Sequence, residues 1–170
     1  MRRVMKSLFI ALMVSAVGLV SAVAADKSLD ITNLVAGAST GNVSSSSSFT
    51  SEANTTVNGY VNAAESVTIG ANSTVTGNIS AGESFTSGDT TKIKGSVHAK
   101  ADYTSGANST VGGSVQVGED FTSGAFSVIT GNVYAAGSVT LGAGSKILGS
   151  VHSGIGEITY GDGATVGSVK

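Results

Sequence analysis

The stretch that decides the fold is Val67 to Ser84, VTIGANSTVTGNISAGES. Its pattern recurs from Ile31 onward, with copies beginning at Ile31, Phe49, Val67, Phe85, Tyr103, Phe121, Val139 and Ile158. Successive starts lie 18 residues apart, except the last, which follows after 19. A fixed short period is the mark of a solenoid, in which one unit cannot bury its apolar side without a neighbour.

Stacking the copies gives columns. The first is Ile31, Phe49, Val67, Phe85, Tyr103, Phe121, Val139 and Ile158, and the second is threonine throughout: Thr32, Thr50, Thr68, Thr86, Thr104, Thr122, Thr140 and Thr159. The ninth is apolar from the second copy on (Val57, Val75, Ile93, Val111, Ile129, Ile147, Val166). The eleventh is glycine from Gly41 to Gly149, and the thirteenth runs Val43, Val61, Ile79, Val97, Val115, Val133, Val151, Val169. Apolar or tiny residues alternate with polar ones from the ninth position to the fifteenth, which is the pattern of strands with one face buried. The apolar members are mostly β-branched, as strands prefer. Clusters such as Gly70-Ala71-Asn72 and Gly106-Ala107-Asn108 mark corners, because glycine and asparagine tolerate positive φ. No window after residue 30 carries apolar residues at helical spacing. The expected fold is all-β: a single-stranded β-solenoid with three short strands and three corners per coil. About eight coils fit into 31–170, and they form a rod roughly 35–40 Å long at the ordinary strand spacing.

Composition narrows the chemistry. Among 170 residues there is no Cys, Pro or Trp, and Gly reaches 24. Without Cys there are no disulfides, no thiolate metal sites and no lipoprotein anchor. Arg2, Arg3 and Lys6 precede the apolar run Leu8 to Val20, and Val23-Ala24-Ala25 supplies small residues before Asp26. That is the layout of a secretory signal peptide over 1–25; the alternative, a membrane anchor, requires a longer apolar run. Residues 26–30 form a short lead-in. The whole chain carries 9 Lys plus Arg against 11 Asp plus Glu. Removing 1–25 leaves six Lys against the same eleven acids, a net of −5 where the full chain has −2. Such an acidic product is a poor partner for nucleic acid. No other segment is apolar enough to span a bilayer. The expected location is outside the cytoplasm, periplasmic or extracellular.

The recurring cores Val57-Asn58-Gly59-Tyr60-Val61, Val75-Thr76-Gly77-Asn78-Ile79, Ile93-Lys94-Gly95-Ser96-Val97 and Ile129-Thr130-Gly131-Asn132-Val133 resemble the bactofilins, bacterial polymer-forming cytoskeletal proteins. The resemblance covers most of 31–170. It implies a right-handed triangular β-helix that polymerises end to end, without nucleotide, into non-polar filaments. Bactofilins are typically cytoplasmic and commonly carry disordered tails. An exported chain with no proline points instead to an envelope or extracellular filament.

Little else in the chain suggests chemistry, and neither an enzyme nor a cofactor is expected. The two histidines, His98 and His152, fall in the fourteenth column on the polar side, three coils and roughly 14 Å apart at the strand spacing. One metal or relay cannot use both. Glu65, Glu83, Asp102, Glu119 and Asp120 gather at one corner, where oxygen ligands suit Ca²⁺. They read more simply as a solvated acidic edge, because no calcium-type Gly-Gly-x-Gly-x-Asp repeat accompanies them. Left-handed hexapeptide-repeat acyltransferases and pectinolytic β-helices both use inserted loops, and this chain inserts a single residue near Ile155. Two features remain. The end coils, with Ile31, Thr32, Val43, Ile158, Thr159, Val166 and Val169, lack a capping helix or loop in the sequence and offer strand edges to another copy. The outward threonines Thr50, Thr68, Thr86, Thr104, Thr122 and Thr140 form a regular ladder. That ladder suits an adhesin-like, ice-binding or glycan-binding rod, or simple β-propensity and Thr–Thr contact. The third column, beside the ladder, is mixed. The expected partner is a second copy of the chain, with the cell envelope or surface glycans as further candidates.

Overall fold

Each unit folds into three strands because its apolar columns come in three groups separated by residues that turn the chain. In the unit from Val67 these are Val67–Ile69, Thr74–Val75 and Ile79–Ala81. In the three-residue strands the outer side chains point inward and the middle one outward, so Val67 and Ile69 are buried while Thr68 is exposed. A computed structural model describes residues 30–170 of the chain. The expected signal peptide over 1–25, and 26–29 of the lead-in, lie outside the described residues.

The strands stack coil upon coil in parallel, in register, into three sides. Side one holds eight strands in chain order, from Asn33–Leu34 through Phe49–Ser51 and Phe85–Ser87 to Ile158–Tyr160. Pairings such as Phe85 with Tyr103, Ile93 with Val111, and Val97 with Val115 fix the 18-residue repeat on all three sides. Sides two and three are joined at one place, where the strand Lys146–Ser153 runs straight through a corner. The described chain is a β-solenoid of eight coils with no helix.

The stacked first, ninth and thirteenth columns fill the interior. Phe49, Phe85, Phe121, Val61, Val97 and Val133 are all buried. Phe85, Tyr103 and Phe121 stack face to face, with centroids 5.1 and 4.8 Å apart. Burial of a side chain this size is worth about 1.5–3 kcal/mol, so each coil depends on its neighbours for most of its stability.

Two different constraints shape the corners. The corner after side one places its sixth residue in the left-handed region in every coil: Asn54 (φ 61°), Asn72 (56°), Thr90 (60°), Asn108 (56°), Phe126 (57°) and Gly144 (66°) among them. The closely packed glycines, in this corner and in the corner between sides two and three, have another cause. A Cβ on Gly70 would stand 2.6 Å from the Ala53 nitrogen, and one on Gly77 would stand 2.7 Å from the Gly59 carbonyl carbon. Backbone meets backbone from coil to coil, and no side chain fits between them. The seventh column is buried hydroxyl. Ser109, Ser127 and Ser145 donate to the carbonyls of Gly88, Gly106 and Gly124 in the preceding coil at 3.2, 3.1 and 2.8 Å.

The five serines Ser44 to Ser48 belong to the first coil. Ser44 and Ser45 lie in the strand Val43–Ser45, and the Ser45 hydroxyl donates to the Ser48 carbonyl at 3.1 Å. The first coil departs from the expected register. Asn33 pairs with Thr50 and Leu34 with Ser51, 17 residues apart, while Val43 pairs with Val61, 18 apart. Thr32 therefore stands in the first column and Asn33 in the second, where sequence spacing placed Ile31 and Thr32. The physical reason is a short corner. Thr40 pairs with Val57, so Thr40 to Val43 covers in three steps what Val57 to Val61 covers in four. Counting back 18 from Phe49 misses the lost residue.

Candidate functional site

The sequence offers two candidate surfaces, the end coils and the threonine ladder. At the C-terminal end, Ile158–Tyr160 and Thr165–Val169 each pair on one side, with the coil before. At the N-terminal end, Asn33–Leu34, Ser39–Thr40 and Val43–Ser45 each pair on one side, with the coil after. Apolar columns buried in the interior surface here. Ile158 and Val166 are half-buried, while Tyr160 and Val169 are exposed to 45% and 56%. Among the expected end-coil residues, Val43 is fully buried, and Thr32 and Thr159 are exposed. Ile31 is half-buried, out of the first column, and its N–H donates to the Ser44 carbonyl at 3.1 Å. Asp30 bridges to Ser44, so part of side three is already covered at this end.

The final coil repeats the irregularity of the first. Ile147 pairs with Val166, 19 residues on, but Val151 pairs with Val169, 18 on. The single-residue insertion near Ile155 accounts for the 19. The return to 18 comes from Val166-Gly167-Ser168-Val169, a corner one residue short, as its spacing in the sequence predicts.

The threonines behave as expected from the second coil on. Thr50, Thr68, Thr86, Thr104, Thr122, Thr140 and Thr159 stack in unbroken register, and all but the half-buried Thr140 are exposed. The mixed third column is not part of this surface. Ser51, Ile69, Ser87, Ser105, Ser123 and Leu141 all point inward. The outer surface of side one is one file of threonines, bordered by the close-approach glycines.

Ser87, Ser105 and Ser123 present buried hydroxyls with no hydrogen-bond partner. They lie beside the aromatic stack, where burial pushes the pKa of the Tyr103 hydroxyl up to about 12.

The acidic corner holds coils together. Ser48 and Ser66 donate to Glu65 and Glu83, both at 3.0 Å. Asp102 accepts the Asp120 N–H at 3.1 Å, and Asp120 accepts the Ser138 N–H at 2.7 Å and its hydroxyl at 2.9 Å. The bonds from Ser138, backbone first, hold the Asp120 carboxyl below the ordinary 3.8. Among the described residues no three His, Cys, Asp or Glu are placed to hold a metal ion. His98 and His152 are exposed on side three on strands three coils apart; His98 pairs with Ser80 and Gln116, His152 with Tyr134, and the two do not meet. No helix among the described residues is long and apolar enough to cross a membrane.

Sequence reasoning missed a second polar ladder, in the twelfth column at the corner between sides two and three. Asn78 accepts the Ser96 N–H at 2.9 Å, Ser96 that of Ser114 at 3.1 Å, Ser114 that of Asn132 at 3.1 Å, and Asn132 that of Ser150 at 2.8 Å. Each side chain caps the amide of the next coil toward the C-terminus, so the ladder has a direction. The run of Asn and Ser was visible in the stacked columns, but its direction depends on which way the side chains turn. Comparisons with family models, curated proteins and solved structures give no match to this chain.

Proposed function

We propose that this chain is an exported structural protein, a bactofilin-like β-solenoid that assembles end to end into filaments or a fibrous scaffold without nucleotide or cofactor. The observation that carries the reading is the pair of end coils. Apart from the Asp30 bridge to Ser44, each has strands paired on one side among the described residues, and the C-terminal one exposes Tyr160 and Val169 where interior coils bury the same columns. Unpaired parallel edges above an apolar column are templates for another copy. Interior spacing, flat sides and eight-fold repetition favour stacking along the axis over any pocket-based task. The test is electron microscopy and sedimentation of the purified exported chain over a range of concentrations. Filaments that lengthen with concentration are expected. Monomeric rods at the highest concentration overturn the reading.

The threonine file favours a second reading, a rod that binds ice or a surface glycan through side one. Replacing Thr86, Thr104 and Thr122 with lysine then abolishes binding and leaves assembly intact. An unchanged affinity for ice or a glycan array excludes it.

A further inference from the structure

The two end coils are irregular in the same place. From first column to thirteenth, Thr32 to Val43 takes eleven steps, and so does Ile158 to Val169. The interior equivalent, Phe49 to Val61, takes twelve. Both end coils lack the tenth-column residue, so Thr40-Gly41-Asn42-Val43 matches Val166-Gly167-Ser168-Val169 residue for residue. Against an interior coil each forms a register break; against each other they run without one.

We propose that the assembling joint is polar: the C-terminal coil of one copy stacks on the N-terminal coil of the next, short corner upon short corner. The proposal rests on the end-to-end reading above and adds its direction, which departs from the non-polar filament that the bactofilin resemblance implies. In this joint Thr159 lies beside Asn33, Tyr160 beside Leu34, Val166 beside Thr40 and Ser168 beside Asn42.

The polar ladders point the same way. Inside the rod, a twelfth-column Asn or Ser accepts the amide of the following coil. Ser168 carries that acceptor at the C-terminal face. The Asn42 N–H, the matching donor, has no acceptor among the described residues. The fifth column repeats the device. Asp89 accepts the Ala107 N–H at 2.7 Å. Asp162 stands in the fifth column of the last coil, and Ala36 in that of the first, where its N–H makes do with the Glu52 carboxylate at 3.0 Å. Joining two like faces relates the copies by a two-fold axis and runs their strands antiparallel, so the parallel, column-on-column register of the interior and its side-chain-to-amide ladder stop at the joint. Asp30, on the free edge of Ser44, limits the joint to sides one and two and the short corner.

The chain has no cysteine, so cross-linking reads the joint directly. Asn33 and Thr159 are both exposed, and they lie on one column. On mild oxidation of the full chain, the double variant Asn33→Cys/Thr159→Cys is expected to give a covalent ladder of trimers and beyond. Each single variant is expected to assemble without forming a covalent product. Covalent dimers from either single variant overturn the polarity and leave end-to-end assembly standing. Filaments without cross-links in the double variant also overturn it. Monomeric rods alone remove the assembly reading itself.

A second pair of variants tests the short corners. Inserting one threonine after Val166 makes the last coil interior-like, and it is expected to raise the concentration needed for assembly about tenfold, the equivalent of 1.4 kcal/mol. Adding an asparagine after Thr40 in the same chain restores the match and is expected to restore assembly. Circular dichroism confirms the fold in each case. Assembly unaffected by the single insertion overturns the proposal.

Discussion

Ile129 and Val166 occupy the same column, as do Val133 and Val169. Ile129 and Val133 are buried within 2% of completely, while Val166 is half-buried and Val169 is 56% exposed. The side chains are nearly identical and the local strands are the same. What differs is whether another coil lies on top. In a solenoid, stability is therefore a property of interfaces between coils and not of the coils themselves. The interior holds six coils in near-perfect register. The two outer coils pair on one side and each lose a residue at the same corner.

The largest break between the two regions should come from deleting a core side chain in each. Phe121→Ala removes the end of the aromatic stack and is expected to cost about 3–5 kcal/mol, lowering Tm by about 10 °C or more. Ile158→Ala, in the same column of the last coil, is expected to cost about 1 kcal/mol in dilute solution, since Ile158 is half-buried. Its cost should grow as concentration rises, because the proposed assembly covers it. Thermal melts over a concentration series check both. Equal costs at every concentration contradict the contrast.

Glycines sharpen the same contrast. A Cβ on Gly77 meets the Gly59 backbone at 2.7 Å, whereas one on Gly41 meets nothing within 4 Å. Gly77→Ala is expected to destabilise by about 1–3 kcal/mol through forced separation of coils, and Gly41→Ala by no more than about 0.5 kcal/mol. Denaturant unfolding of the two variants measures the difference. At high concentration Gly41→Ala should also weaken assembly, because the proposed joint brings Gly167 of the adjoining copy against it.

How much of this was legible beforehand follows from the same contrast. Interior columns could be read from spacing because every coil repeats its neighbour, so Val57, Val75 and Ile93 announce one another. The first coil could not, because a residue lost between Thr40 and Val43 leaves no trace in composition and shifts Ile31 and Thr32 out of the columns they were assigned. The equal loss at Val166 to Val169 was visible only because its spacing could be counted from both sides. The third column, read from sequence only as a mixed file beside the ladder, faces inward. Serine, isoleucine and leucine share it, and only the strand geometry shows that Ser87 and Leu141 face the same interior. Positive φ in the corner clusters was assigned to glycine and asparagine alike. The structure bears this out at Asn72 and Asn108 and gives Gly70 the role of close approach instead.

A smaller effect of opposite sign is expected at the left-handed position. Asn72 and Asn108 suit it, but Thr90 and Phe126 hold φ of 60° and 57° with side chains that resist it. Thr90→Asn and Phe126→Asn are each expected to stabilise by about 1 kcal/mol. Both sites are exposed, and the Phe126 ring that is lost lies only over Gly144 of the next coil. A fall in Tm for both variants contradicts the assignment of strain. The gain should appear in the melt of the monomer and leave the assembly concentration unchanged, since both residues sit in interior coils.

The smallest effect is that of acid, and it separates the regions by place. Asp120 ties two interior coils through Ser138. Asp30 ties the lead-in to the first coil through Ser46, whose hydroxyl bonds to it and whose N–H donates at 2.9 Å. Both carboxyls are held below the ordinary 3.8, Asp30 by the Ser46 hydroxyl first and Asp120 by the Ser138 amide first. A carboxyl whose value is depressed by folding stabilises the fold above its unfolded value and loses that contribution as pH falls through its folded one. Stability is therefore expected to hold level from neutrality down to about pH 4 and to decline below that. Because Asp30 guards an edge paired on one side and Asp120 lies between paired coils, acid should open the first coil before the middle of the rod. Amide exchange at Ser46 should rise at a higher pH than at Ser138, once each rate is corrected for intrinsic acid dependence. Asp30→Asn should remove the difference at Ser46 and leave Ser138 untouched. Simultaneous opening of both amides means that the eight coils respond to acid as one cooperative body, and that the ends are no weaker than the interior.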